Sequence, residues 1–295
     1  MSKTSVVVQR QIQSAQGLKS VVRTMKTLAA VSIPPYEKAL QALDDYVRTV
    51  EIGITTFFRN ADPLIQGLLS RQKPGGIGVV VFGSDQGMVG AFNDELARFT
   101  FRQLRALSEE KRVWVVGERV YSRLAEDALT LYPSYSVPES IETIPALMSQ
   151  VLSDMEVQRE KGNLAKILLF YNRPALGAGF EPVVESLLPL DKSWLTSLQK
   201  NPWPNRKFPE LGDSSEKILA ALLREYIFVS LFKACARSGA SEQATRLASM
   251  QRAEKNINDL LEELQREYHQ KRQDAIMDEL FDVISGFEVL SAKGQ

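Results

Sequence analysis

The stretch Met250-Gln251-Arg252-Ala253-Glu254-Lys255-Asn256-Ile257-Asn258-Asp259-Leu260-Leu261-Glu262-Glu263-Leu264-Gln265-Arg266-Glu267-Tyr268 decides how the chain folds. Met250, Ala253, Ile257, Leu260, Leu264 and Tyr268 are spaced 3, 4, 3, 4 and 4, the repeat of a helix that buries one stripe. Leu280, Val283, Phe287 and Leu290 resume the stripe after a polar interval from Gln270 to Asp274. Between Ser214 and Leu290 the only glycines are Gly239 and Gly286, and proline is absent. A nearly continuous helix of about 75 residues, on the order of 110 Å long, is therefore predicted. An average globular helix has ~11–12 residues. One this long needs an elongated partner to cover its stripe.

The partner is sought at the other end of the chain. All 13 prolines lie between positions 34 and 209, which leaves 33 residues at the front and 86 at the back without one. In the front segment Val8, Ile12, Ala15, Leu18, Val22, Met25, Ala29 and Ser32 fall at spacings of three and four, close to a coiled-coil seam. An antiparallel pair of terminal helices follows, with a homo-oligomeric coiled coil as the alternative. Between the ends, β-rich runs appear at Ile77–Phe82, Arg112–Val116 and Lys166–Tyr171, alternating with helical stretches at Asp94–Ser108, Glu118–Leu131 and Glu139–Lys161. Such alternation predicts a mostly parallel sheet, to which Phe180–Leu190 adds a strand. Pro202, Pro204 and Pro209 then form a linker into the long helix. The expected domains are 1–60, 75–212 and 213–295.

Composition excludes much chemistry. Lys and Arg together number 36, Asp and Glu 36, and the net charge is +0, which argues against a nucleic-acid partner because phosphate neutralisation leaves a basic excess. One cysteine, Cys235, excludes an internal disulfide and a Cys-based zinc site, and one histidine, His269, excludes metal sites built on several imidazoles. No apolar run reaches the ~18–20 residues of a membrane span. The first residues lack the apolar core of a signal peptide, so a cytoplasmic chain, or one peripheral on that side of a membrane, is expected.

The candidate motifs have plain structural readings. Gly83-Ser84-Asp85-Gln86-Gly87-Met88-Val89-Gly90 sits between a strand and a helix, where phosphate-binding loops occur, but its glycines fit neither G-x-G-x-x-G nor a Walker A loop. Tight turning of the strand into the helix is the expected use, with no nucleotide and no cofactor. Asp44-Asp45, Glu109-Glu110 and Glu262-Glu263 are adjacent in sequence and point apart on a helix, so they read as solvated faces. Cys235 reads as a small packing residue and His269 as a surface one. The first 36 residues carry Lys3, Arg10, Lys19, Arg23 and Lys26 and no acid. Either an acidic surface outside the helix or Glu254, Glu262, Glu263 and Glu267 across the coiled coil would balance them.

Three stretches together resemble one family. They are Ser241-Glu242-Gln243-Ala244-Thr245-Arg246-Leu247-Ala248-Ser249-Met250 with Asn258, Arg272-Gln273-Asp274-Ala275-Ile276, Glu279-Leu280 and Ile284-Ser285-Gly286; then Gln16, Lys19, Arg23, Met25 and Ala29-Ala30; and the loop Ser84 to Asn93. These resemble the gamma subunit of the F-type ATP synthase. The resemblance implies an α/β protein: an antiparallel coiled coil of long N- and C-terminal helices plus a central Rossmann-like three-layer α/β domain. It implies a non-catalytic rotor shaft, one copy per complex, inside a ring of alpha and beta subunits. The epsilon subunit and the ion-carrying membrane ring lie below, on the cytoplasmic face of the cell (inner) membrane. Arg272 and Gln273 match positions that hydrogen-bond a loop of the beta subunit, Met25, Arg246 and Gln273 a group where both helices meet the ring, and Glu279 the signature acid. Arg10, Lys19, Arg23 and Lys26 are the expected contacts to an acidic partner.

Departures accompany the resemblance. Met277 stands where the family has threonine, Phe287 where it has a small residue, and Val89 where it has cysteine. Pro34-Pro35 is expected to interrupt the first helix. Together they point to a diverged branch, such as the alternate or sodium type, and the lone cysteine excludes thiol regulation. Two competing readings are an α/β enzyme that uses the Gly83–Gly90 loop for a nucleotide and a coiled-coil adaptor unrelated to ATPases.

Overall fold

The computed structural model describes residues 3–60, 75–125, 129–175, 179–190, 194 and 215–292; the expected proline linker at 202–209 lies outside them. Helix α1 (Lys3–Asn60) precedes, and helix α5 (Ser215–Ala292) follows, the strands of a five-stranded sheet. Its strands are β1 (Gly76–Phe82), β2 (Lys111–Val116), β3 (Thr130–Leu131), β4 (Leu164–Pro174) and β5 (Phe180–Leu188), in the order β3-β2-β1-β4-β5. All pairings are parallel except β4 with β5, which is antiparallel. Helices α2 (Phe92–Arg105), α3 (Glu118–Leu124) and α4 (Ile144–Glu160) make the connections.

Period-two alternation assigns the two faces of the sheet. Ile77, Val79, Val81, Val113, Val115 and Phe170 pack on Leu96, Ala97 and Leu104 of α2 and Val120 and Leu124 of α3. Val80, Phe82, Trp114, Val116, Leu169 and Tyr171 face the other way, onto Ile144, Met148, Val151, Leu152 and Met155 of α4. That second layer also takes in Tyr36 of α1 and Ile227, Leu231, Ala234, Cys235, Ala236 and Ala240 of α5. With both faces covered, β1 is buried at every residue, as a central parallel strand must be. Helix α2 carries Asp94 and Glu95 in its first turn and Arg102 and Arg105 in its last, the arrangement the helix dipole favours. A capping box between Ser140 and Thr143 starts the short turn that leads into α4.

The chain forms two compact units, residues 30–246 and residues 1–29 with 247–295. In the first, besides the sheet and its layers, Val50, Ile54, Phe57 and Phe58 of α1 form a cluster with Ile218, Leu219, Leu222 and Tyr226 of α5. In the second, Val8 and Ala15 are buried with Leu261 and Leu264, joined by Ile12, Ile257 and Tyr268. Lys26 bonds Glu254, so rising numbers on α1 meet falling numbers on α5 and the pair is antiparallel.

Several expectations need correction. Leu18 and Leu260 were expected in the seam, yet they are 60% and 46% exposed, while Leu261 is 8% exposed. The seam on α5 runs Ile257, Leu261, Leu264, Tyr268; a nearly straight helix advances at 3.6 residues per turn, so of two neighbouring leucines the packing selects the second. Pro34 and Pro35 lie inside α1 without ending it. They and the preceding Ala30 and Val31 are exposed, so carbonyls lacking an N–H partner can be hydrated, and Tyr36, buried immediately afterwards, fastens the helix. The helical stretch expected over Glu118–Leu131 ends at Leu124, and Thr130–Leu131 instead extends the sheet beside Arg112 and Val113.

Candidate functional site

The glycine-rich loop after β1 is consumed by its own packing. A Cβ on Gly83 would stand 2.3 Å from Cγ1 of Val120, and Gly117, with φ of 114°, brings its backbone against Ser84. The Ser84 amide donates to Oδ1 of Asn93 (3.0 Å), and the Asn93 side-chain amide donates to Oγ of Ser84 (2.8 Å). Asp85 accepts from the amides of Glu118 and Val137, each at 2.8 Å, and so caps α3 from outside that helix. Met88, at φ 63° and 53% exposed, stands at the tip.

Beside this loop, α5 presents polar residues to the inside of the 30–246 unit. Ser238 donates to the carbonyl of Phe82 at the end of β1 (2.9 Å), and Gly239 lies against the ring of Tyr36, where a Cβ would be 2.6 Å from Cε1. One turn on, Nη2 of Arg246 donates to Glu242 at 2.7 Å and Nη1 donates to Gln243 at 3.0 Å. Both members of this i,i+4 ion pair have side chains only 6% exposed. Burial pushes the Glu242 carboxyl above its usual range, the nearby Asp85 charge pushes the same way, and Arg246 opposes both. Burial and the neighbouring Cys235 and Glu242 raise Tyr36 to about 12. Cys235 is likewise raised to about 12, an inert buried thiol in line with its packing role.

The expected contact residues divide by exposure. Arg272, Gln273 and Glu279 are exposed on α5, and Met25 is half-buried on α1. Arg246 is the exception, since its guanidinium is turned inward and already held. Nor does the coiled coil bring Gln273 to Met25: Lys26 bonds Glu254, and Gln273 lies 19 residues (273 − 254) further along α5, roughly 28 Å at 1.5 Å per residue. Of the basic residues, Arg23 and Lys26 both engage Glu254, whose carboxyl the Lys26 hydrogen bond holds below its usual range. Arg10 is exposed and Lys19 half-buried. Neither makes a salt bridge among the described residues, although Lys19 stands close enough to Glu254 to help hold its carboxyl low; Glu262 and Glu267 pair within their own helix with Arg266 and Lys271. His269 is exposed, edge-on to Tyr268.

Sequence reasoning missed two features. Glu242 stood inside a quoted motif, but i,i+4 spacing to an arginine reads as an exposed pair until packing buries it. The other is a line of apolar side chains left open: Ile276, Met277, Leu280, Phe281, Val283 and Ile284 of α5 are 46–71% exposed, as are Val7, Leu18 and Val21 of α1 at 55–60%. An exposed apolar face of this extent on a long helix is of the kind through which chains associate. Among the described residues no His, Cys, Asp and Glu side chains gather as a metal site, and no helix is long and apolar enough to cross a membrane.

Comparison with known proteins agrees with this geometry. The family model described as ATP synthase matches residues 5–290. The chain belongs to the ATP synthase gamma chain family. Curated relatives named ATP synthase gamma chain include that of Polynucleobacter necessarius subsp. necessarius (strain STIR1), 25% identical over 284 residues, covering 95% of this chain and 96% of the relative. That of Moorella thermoacetica is 24% identical over 289 residues, covering 96% and 98%. The rotor of the Euglena gracilis mitochondrial ATP synthase shares the fold, with TM-score 0.65 and 14% identity over 92% of this chain and 99% of that one.

Proposed function

We propose that this gamma-family chain is the central shaft of an F-type ATP synthase, coupling ion flow through a membrane sector to conformational cycling of catalytic beta subunits. The observation that carries the reading is the family match over residues 5–290, which takes in both long helices and the sheet between them. The open apolar face of α5 from Ile276 to Ile284 supports it, as a surface suited to an enclosing sleeve of alpha and beta subunits. Arg272, Gln273 and Glu279, exposed on the same helix, supply the polar contacts to that ring, and the exposed Arg10, with the half-buried Lys19, offers positive charge to an acidic partner surface. The sheet unit serves the epsilon subunit and the ion-carrying ring, with one copy of the chain per complex.

In this reading the chain performs no catalysis. Each orientation of the shaft stabilises a different set of beta conformations, so torque alters nucleotide affinity at a distance. The chain sits peripherally on the cytoplasmic face of the cell membrane. Met277, Phe287 and Val89 support a diverged branch, such as the alternate or sodium type. Co-purification of the tagged chain from native membranes, with mass analysis of partners, is the test. Alpha and beta subunits with one copy of this chain are expected; recovery alone or as a homo-oligomer overturns the shaft reading. ATPase activity that does not respond to sodium removes the sodium-type assignment and leaves the shaft intact.

A further inference from the structure

A buried ion pair has to be explained by something other than stability. Desolvating two charges offsets most of their attraction, and apolar residues of similar volume often serve equally well. Glu242 and Arg246 are nevertheless both 5% exposed, and Nε of Arg246 and Oγ of Ser241 beside them are buried without a hydrogen-bond partner. On α5 the pair follows, by one turn for Glu242 and about two for Arg246, the place where three parts of the 30–246 unit converge. Ser238 is anchored to the end of β1, Gly239 is pressed on Tyr36 of α1, and Asp85, which caps α3, lies close enough to influence Glu242. Two of the three guanidinium nitrogens are engaged by residues of α5 itself, and the third is sealed from water.

We propose that Glu242 is a positioning residue for torque transmission: it holds Arg246 inward, so that Arg246 braces α5 against α1 and the loop after β1 instead of touching the catalytic ring. The proposal rests on the shaft reading and changes the place where Arg246 acts. With the pair intact, α5 has one seating on the end of the sheet. Without Glu242 the guanidinium is left buried and unpaired, so it must turn outward and the seam must repack. Two roles for Arg246 then predict opposite results. A ring contact requires a guanidinium at position 246, whereas an internal brace requires only that the opposite charges be paired.

The test measures ions pumped per ATP hydrolysed by the assembled complex in inverted membrane vesicles. Four chains are compared: the unmodified one, Arg246→Ala, Glu242→Gln, and the exchanged pair Glu242→Arg with Arg246→Glu. Arg246→Ala and Glu242→Gln are each expected to lower the ratio about fivefold or more, in the range of ordinary coupling energies. The exchanged pair is expected to return it to within about twofold of the unmodified complex. An exchanged pair that assembles but stays as uncoupled as Arg246→Ala overturns the proposal. If the exchanged pair does not assemble, Glu242→Gln decides, since unimpaired coupling there also overturns it. Co-purification of the unmodified chain with the ring decides the shaft reading separately.

Discussion

Glu242 and Glu254 are the same side chain under opposite influences, and the difference shows how much of this protein is decided residue by residue. Glu254 receives Lys26 across the coiled coil, which holds its carboxyl low; Glu242 is buried, which raises it despite Arg246. The two therefore contribute to pH dependence with opposite sign. The stabilisation from Glu254 is fully present above the ordinary carboxylate range and is lost as pH falls through its lowered folded value. Glu242 holds its proton more tightly when folded, so its ionisation opposes folding as pH rises from the ordinary value through the raised one. Thermal unfolding of the full chain, followed from neutral pH down to about pH 3, spans the range in which carboxylates titrate. Glu254→Gln is expected to unfold at lower temperature than the unmodified chain at neutral pH and to lose less on acidification; parallel curves for the two would contradict the role given to Lys26–Glu254. Little of this was legible in the sequence. Glu254 was one of four candidate acids, and only the register of the two helices chose it over Glu262, Glu263 and Glu267.

Among the elements, the helices were readable in outline and the contacts between them were not. The glycine and proline distribution predicted a helix from Ser214 to Leu290, and α5 spans Ser215–Ala292. Short apolar β-rich runs between helical stretches gave the strands, and which residues of each run meet which layer came only with the packing. What failed was the choice between Leu260 and Leu261 and the fate of Pro34-Pro35, which depend on the partner surface and on access of water to the freed carbonyls. Gly239 shows the same dependence. A glycine inside a helix ordinarily costs about 1 kcal/mol relative to alanine, so Gly239→Ala would stabilise an isolated helix. Here the added Cβ meets the Tyr36 ring at 2.6 Å, and overpacking of that kind costs about 1–3 kcal/mol. The full chain carrying Gly239→Ala is expected to melt at lower temperature, with part of the loss recovered when Tyr36→Leu is added. A rise in melting temperature for Gly239→Ala alone would mean that Tyr36 yields without cost.

For the molecule as a whole, the surface left open matters more than the core. Ile276, Leu280 and Phe281 stand outside the buried clusters of the described residues, being 52–60% exposed. Their replacement by serine is expected to leave the melting temperature of the chain nearly unchanged, within the roughly ±0.5 kcal/mol typical of surface sites. It is also expected to weaken retention of the chain by the alpha and beta subunits, read as the fraction that co-purifies. Retention at the unmodified level would remove this face from the interface. The resemblance to gamma chains was visible in the amino-acid order because helix faces, caps and turns are local and leave a periodic trace: the two long helices and the strands between them were determined there. Tertiary structure alone decided that Arg246 turns inward to Glu242, that Leu261 and not Leu260 enters the seam, and that Thr130–Leu131 joins the sheet. Each of those outcomes turns on which surface lies opposite a residue, and a distance between positions far apart in sequence is set by packing and not by local periodicity.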